Sequence, residues 1–148
     1  MSIFVSKFQD MENILITGAK GQLGSELKVL SQKNPSYNYY FTDIEELDIT
    51  SAEAIENFVT ANNITKIINC AAYNDVNGAE SNFDEAVRLN VTAVASLAEC
   101  AARHDIYLIH FSSDYVFNGK KKSPYHESDR AFPISAYGKT KLAGEIAI

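Results

Sequence analysis

NILITGAKGQLG, at residues 13–24, is the stretch that decides the fold of this 148-residue chain. Its first five residues predict an apolar strand, and Gly18, Gly21 and Gly24 follow that strand. A glycine-rich turn between a strand and a helix lets backbone amides approach a phosphate group closely. The spacing is GxxGxxG rather than the more widespread GxGxxG, so a tight turn without a ligand is the alternative interpretation.

Short apolar strands alternate with helical segments along the rest of the chain. Further strands are predicted at 39–42, 66–70 and 107–112, and helices at about 21–30, from a capping box at 50–53, at 82–104 as one long or two abutting helices, and from 136 onward. This alternation predicts an α/β fold, a doubly wound parallel sheet of the Rossmann type that binds ligands at the carboxyl ends of its strands. Residues 1–12 are interpreted as a tail and residues 13–148 as an NAD(P)-binding domain.

Composition excludes several classes of partner. Thirteen basic and nineteen acidic residues give a net charge of -6, which argues against nucleic acid and against an anionic membrane surface. No apolar run approaches the roughly 20 residues of a membrane span. Cys70 and Cys100 lack CxxC spacing and are interpreted as reduced thiols of a cytoplasmic protein. The three histidines fall on different elements, so no metal site is predicted.

Two further features lie beside the expected phosphate turn. Asp43 stands about 20 residues beyond the last glycine, where an acid can accept the ribose hydroxyls, although an exposed loop acid is nearly as good an interpretation. Lys20 in the turn could meet a 2′-phosphate, so NAD and NADP both stay open. The small residues Ala71 and Ala72 would let a flat cofactor lie against the backbone, unless they only allow close packing.

Tyr137 and Lys141 are four residues apart on the last predicted helix and therefore share one face. A neighbouring ammonium lowers the pKa of a phenol from about 10, which makes the tyrosine a usable acid near neutral pH. The spacing alone is common by chance. It gains weight from Ser113 at the end of the preceding strand, whose hydroxyl could bond a substrate carbonyl or could form only a local turn bond. Asn90, within the long helix, is interpreted as a packing residue.

Four motifs together resemble the extended short-chain dehydrogenase/reductases: the turn at 17–24, the small residues at 69–72, SSDYVF at 112–117 and YGKTKLAGE at 137–145. The resemblance runs from Asn13 to the final residue. It implies that NADPH or NADH reduces the 4-keto group of a dTDP-linked 6-deoxyhexose, a nucleotide-sugar substrate, and it is compatible with a homodimer. Family members are about twice as long, so the chain is expected to lack the last strands and a C-terminal substrate lobe and to be inactive alone.

The resemblance also implies roles by position. It makes Ser113, Tyr137 and Lys141 catalytic. It places the cofactor against Gly18, Gly21, Gln22, Leu23, Gly24, Asp43, Asp48, Ile49, Ala71, Ala72, Tyr73, Tyr137 and Lys141, and the substrate against Ser113, Asp114 and Tyr115. Two alternatives stay open. One is a non-catalytic regulatory subunit, since the β-subunit of methionine adenosyltransferase shares the SSDYVF run, and the other is a different nucleotide-sugar reductase or epimerase.

Overall fold

A computed structural model describes residues 11–148 of the chain. This region contains four strands and six α-helices, and three of the helices lie between the third and fourth strands. In chain order the elements are β1 Asn13–Thr17, α1 Gln22–Ser31, β2 Asn38–Thr42, α2 Ala52–Ala61, β3 Lys66–Asn69, α3 Gly78–Ser81, α4 Phe83–Val87, a π-helical turn Arg88–Thr92, α5 Ala93–Arg103, β4 Tyr107–His110, a 3₁₀ turn Asp114–Val116 and α6 Ala136–Ile146.

The strands form one parallel sheet in the order β2-β1-β3-β4. The chain moves in one direction from β1 to β2 and in the other from β2 through β3 to β4. Right-handed crossovers therefore place α1 on one face of the sheet and α2 and α5 on the opposite face. The predicted α/β fold with a doubly wound parallel sheet is confirmed, and the carboxyl ends of all four strands meet at one edge.

The main core lies on the sheet face that α2 and α5 cover. Leu15 of β1 and Ile67 of β3 are fully buried there against Ile55 of α2 and Leu97 of α5. Leu108 of β4 packs against the same cluster. Burying each such aliphatic side chain contributes roughly 1.5–3 kcal/mol, so this layer holds the strand ends in fixed positions.

The opposite face is unevenly covered. Over β1 it is closed, since Ile14 and Ile16 are buried. Over β4 it is open, and Tyr107, Ile109 and Phe111 are 65%, 38% and 41% exposed. We call these three side chains the open apolar face. They alternate with Leu108 along the strand, as the two-residue period of a β-strand requires.

Three sequence predictions need correction or qualification. The predicted capping box at 50–53 is wrong, because Ser51 is the N-cap of α2 and accepts a hydrogen bond from Ala54 N at 3.2 Å. The predicted helix at 82–104 is α4 and α5, joined through the π-helical turn. Most of the predicted tail lies outside the described residues. Its described end is held to the sheet, where Glu12 pairs with Lys66 at 2.6 Å.

No helix within residues 11–148 is both long enough and apolar enough to cross a lipid bilayer.

Candidate active site

The glycine turn connects β1 to α1 at the carboxyl edge of the sheet. Gly18 has a φ of +65°, a left-handed conformation that L side chains rarely adopt. A Cβ at this position would stand 2.6 Å from the backbone nitrogen of Ala71, so the turn is also pressed against the segment that follows β3. The turn closes where Gly21 N donates to Gly18 O at 3.0 Å. Only glycine fits at Gly18, on both conformational and steric grounds.

A first cleft of about 320 Å³ opens between the glycine turn and the end of β2. Its lining includes seven of the residues that the sequence assigned to the cofactor: Gly18, Gly21, Asp43, Asp48, Ile49, Ala71 and Ala72. Leu47 and Leu89 add apolar surface to the same lining. A narrow cleft with apolar walls and two carboxylates fits a flat ring attached to a sugar with free hydroxyls.

The carboxylate of Asp43 is held in place by backbone amides. Its Oδ2 accepts from Lys20 N and its Oδ1 from Ile44 N, each at 3.0 Å. The Lys20 ammonium pairs with Glu45 at 2.6 Å. Asp48 is fixed in a similar way, and its hydrogen bonds with the hydroxyl and the amide of Thr50 lower the pKa of its carboxyl. The carboxylate of Asp48 therefore stays ionised at the cleft.

A second cleft, of about 390 Å³, adjoins the first and contains the expected proton donor. It brings Tyr137 and Lys141 of α6 together with the turn residues Gly21, Gln22 and Leu23. Gly21, Ala71 and Ala72 line both clefts. A single elongated ligand lying along the carboxyl edge could therefore contact the glycine turn at its centre and Tyr137 at one end.

Helix α6 presents Tyr137 and Lys141 because of close contacts at its N-terminus and on its buried side. Ser135 is the N-cap and accepts from Gly138 N at 3.1 Å. Further along, a Cβ at Gly144 would stand 2.3 Å from Asn90 O, so the helix packs directly on the backbone of the π-helical turn. Tyr137 and Lys141 are only 8% and 2% exposed.

The amine of Lys141 lies among polar groups at the end of β4. Its Nζ donates to Phe111 O at 2.7 Å and lies 3.3 Å from His110 Nε2. Burial lowers the pKa of the Lys141 amine, and the charge of Glu145 one turn further along opposes that effect. A buried lysine with a lowered pKa can release and take up protons more readily than an exposed one.

The structure separates the two adjacent serines. Ser112 lines the second cleft and donates to the carboxylate of Glu145. Ser113 caps the 3₁₀ turn, where its Oγ accepts from Tyr115 N at 3.2 Å and donates to Asp114 Oδ1 at 3.3 Å. Neither Ser113 nor Asp114 is among the described residues that line the cleft. The local turn bond that the sequence left open for Ser113 is therefore present.

Tyr115 and Tyr73 each contact a residue of α6 or of the turn that supports it. The ring of Tyr115 packs edge-on against Tyr137, with ring centroids 5.5 Å apart. Tyr73 is held by its backbone, because its N–H donates to Asn90 Oδ1 at 2.9 Å and its carbonyl accepts from Asn90 Nδ2 at 3.1 Å. Asn90 is fully buried and also donates to Thr140 Oγ1 at 3.0 Å. It thus ties the segment after β3 to α6.

One cluster of potential metal ligands occurs in the described residues, away from both clefts. Atoms of Glu56, Cys100 and His104 lie within 4.8 Å of one another between α2 and α5. The Glu56 carboxylate already accepts from Arg103 at 2.7 Å and contacts His104. These hydrogen bonds lower the pKa of Glu56 to about 2. Because burial raises the pKa of the Cys100 thiol to about 11, we interpret the cluster as an ion-pair link between two helices.

Sequence reasoning missed two residues at this edge. The sequence pattern evaluates His110 only as a metal ligand. Its place at the end of a predicted strand indicates that it can reach the carboxyl edge of the sheet. The amide of Asn69, which is 1% exposed, was treated only as part of a run of small residues. A polar side chain at the end of a buried strand was the signal in that case.

Comparison with known proteins gives consistent matches. A family model described as RmlD substrate binding domain matches residues 11–148. The dTDP-4-dehydrorhamnose reductase of Aggregatibacter actinomycetemcomitans is 42% identical over 135 residues, which cover 91% of this chain and 46% of that protein.

Solved structures agree with the sequence matches. A dTDP-4-dehydrorhamnose reductase from Bacillus anthracis in complex with NADP superposes with a TM-score of 0.88 at 36% identity, covering 93% of this chain and 49% of that one. The Clostridium acetobutylicum protein of the same name gives a TM-score of 0.87 at 40% identity, with coverages of 91% and 48%. The chain therefore spans about half the length of the relatives it matches.

Proposed function

Because the chain belongs to the RmlD substrate binding domain family, we propose that it carries the dinucleotide site and the proton donor of a dTDP-4-dehydrorhamnose reductase. The reaction is the reduction by NADPH or NADH of the 4-keto group of a dTDP-linked 6-deoxyhexose. The observation that carries this proposal is the second cleft, in which Tyr137 and Lys141 meet the glycine turn.

The cofactor site consists of the two adjoining clefts, with residues 13–148 as the dinucleotide-binding domain. The residues present fit such a group, because Gly21, Ala71 and Ala72 line both clefts with little or no side chain and so leave room for it. Asp43 would accept the adenosine ribose hydroxyls, and the amides of Gln22 and Leu23 at the start of α1 would donate to the pyrophosphate. When bound, the reduced nicotinamide supplies the hydride for the carbonyl carbon. The B. anthracis relative, whose crystal structure contains NADP, supports this assignment.

The chain's own residues supply the proton and the orientation. Tyr137 donates its phenolic proton to the carbonyl oxygen as charge develops there. Lys141, four residues along the same helix, stabilises the resulting phenolate and would hold the nicotinamide ribose. Ser113 would bond the same oxygen after its hydroxyl gives up the hydrogen bond that it now donates to Asp114. Asp114 and Tyr115 would then contact the sugar.

Substitution of the proton donor tests this function. In the protein encoded by the whole reading frame that contains this sequence, Tyr137→Phe should lower kcat by about 100-fold or more, since general acid catalysis contributes roughly that factor. Consumption of NADPH or NADH with dTDP-4-dehydrorhamnose is the measurement. Dinucleotide affinity should change little, because the ring is kept.

The matched control is Tyr125→Phe, which removes a hydroxyl from a loop tyrosine that bonds Asn118 rather than α6. It should leave turnover unchanged. Wild-type turnover in Tyr137→Phe would refute the assignment of the acid. Dinucleotide binding without any reduction, together with retention of a partner enzyme, would favour the regulatory alternative.

A further inference from the structure

A buried row of polar side chains runs beneath the second cleft, from β1 to α6. Thr17 Oγ1 donates to Asn69 Oδ1 at 2.6 Å, and Asn69 Nδ2 lies 3.0 Å from His110 Nδ1. His110 Nε2 in turn lies 3.3 Å from Lys141 Nζ. Thr17 and Asn69 are each 1% exposed, so bulk water does not interrupt the first half of the row.

The orientation of the Asn69 amide follows from its neighbours. Its Oδ1 accepts from the backbone N–H of Ala71 at 3.2 Å as well as from Thr17. A backbone N–H can only donate, so the oxygen of the amide must face Ala71 and the NH₂ group must face His110. The imidazole therefore accepts a hydrogen bond at Nδ1, and its proton lies on Nε2.

The same contacts keep the ring of His110 neutral. An imidazolium carries protons on both nitrogens, and the Nδ1 proton would then meet the NH₂ group of Asn69. Burial, reinforced by the charge of Lys141, lowers the pKa of His110 to about 4. At neutral pH the ring consequently has one fixed donor, Nε2–H, and that donor is directed at Lys141.

A donor directed at Nζ discriminates between the two charge states of the lysine. An ammonium has three donors and no acceptor, whereas a neutral amine has a lone pair that can accept from Nε2–H. The carbonyl of Phe111 accepts one proton of Nζ in either state. Glu145, on α6 itself, favours the charged form, and its carboxylate is also bonded by Ser112. The phenol of Tyr137 faces the same cleft.

We propose that Asn69 locks His110 in the neutral tautomer with its proton on Nε2, and that this N–H makes the ammonium of Lys141 give up a proton more readily. Its catalytic consequence rests on the proposed reductase function. In that reaction, the contact from His110 sets how readily Lys141 exchanges a proton beside Tyr137. His110 and Asn69 are positioning residues in this scheme.

Nitrogen NMR of the ¹⁵N-histidine-labelled 148-residue chain tests the tautomer directly. Imidazole ¹⁵N shifts separate a protonated from an unprotonated ring nitrogen. We expect His110 to show an unprotonated Nδ1 and a protonated Nε2 at neutral pH. A proton on Nδ1 in the folded wild-type chain would overturn the proposal, and this measurement needs no variant, cofactor or turnover. The NMR result therefore tests this proposal even if the reductase assay fails.

The substitution Asn69→Asp tests the effect on the lysine. A carboxylate accepts from Nδ1–H, so the proton moves to Nδ1 and Nε2 becomes an acceptor for the ammonium. The titration of Lys141 Nζ, followed by NMR of the labelled side chain, should shift to higher pH. Asn38→Asp, a matched change on β2 where the amide contacts Asn13, should leave both signals unchanged. An unshifted Lys141 titration in a folded Asn69→Asp chain would refute the coupling.

Discussion

Among single residues, the charges at the end of β2 bear most directly on which nicotinamide cofactor the proposed site would prefer. The carboxylate of Asp43 lines the first cleft, to which the proposed function assigns the adenosine ribose, and Glu45 and Glu46 lie nearby. The one cation in the turn, Lys20, is already paired with Glu45. Sequence alone left NAD and NADP open because it could not show this pairing.

We predict that the chain binds NADH about tenfold more tightly than NADPH. A like charge a few ångströms from an exposed carboxylate costs on the order of 1 kcal/mol. Calorimetric titration with each dinucleotide is the measurement. Glu45→Gln should release Lys20 and reduce the difference, whereas Glu53→Gln on α2 should not. Equal or tighter binding of NADPH by the wild-type chain would contradict this reading of Asp43.

Some residues of the candidate site could be predicted from the sequence and others could not. The glycine turn, Asp43, Tyr137 and Lys141 were predicted, and the clefts bring them together. The sequence favoured Ser113 over Ser112, but it could not show which hydroxyl lines the cleft, because neighbouring residues at a strand end point in different directions and a turn bond competes for the hydroxyl of Ser113. The roles of Asn69 and His110 depend on contacts between strands far apart in the chain, which no local pattern records.

Among the secondary-structure elements, the position of α6 depends on direct backbone contact with the π-helical turn. In an exposed helix, replacing glycine by alanine stabilises by roughly 0.5–1 kcal/mol. At Gly144 the new methyl group would meet Asn90 O at 2.3 Å. We predict that Gly144→Ala instead lowers the free energy of unfolding by about 1–3 kcal/mol, as overpacking does. Urea denaturation measures this, and a more stable variant would show that α6 is free to move away.

The π-helical turn also explains the limit of the helix prediction. The alanine-rich pattern at 82–104 predicted helix, and α4 and α5 are both helical. The extra residue that widens the helix at Arg88–Thr92 occurs where Asn90 bonds Tyr73 and Thr140. Widened turns of this kind often mark functional sites, and their cause is tertiary contact rather than local propensity.

At the scale of the whole molecule, the neutral state of His110 makes stability depend on pH. Its pKa is about 4 in the fold and 6.5 ordinarily. Below pH 6.5 the unfolded chain binds a proton that the folded chain does not, so stability falls as the pH is lowered from about 6.5 to about 4. His110→Gln should flatten this slope, while His126→Gln on an exposed loop should not. Unfolding by urea across this range is the measurement, and an unchanged slope in His110→Gln would contradict the prediction.

The open apolar face governs how the chain behaves at high concentration. Tyr107, Ile109 and Phe111 form a contiguous exposed strip on an edge strand, and such strips promote association. We predict concentration-dependent self-association by sedimentation velocity, reduced by Ile109→Lys. Leu108→Lys, one residue away but directed into the core, should unfold the chain instead. If Ile109→Lys leaves self-association unchanged, another surface is responsible.

The second cleft joins residues from the two ends of the described chain, since the glycine turn lies near residue 20 and Lys141 is on the last helix. Contacts of such large sequence separation form late in folding, because the intervening chain must first be ordered. The proposed proton donor therefore meets the proposed cofactor site only when the strands between them are in place. A partly folded chain can bury its core yet still lack a working site.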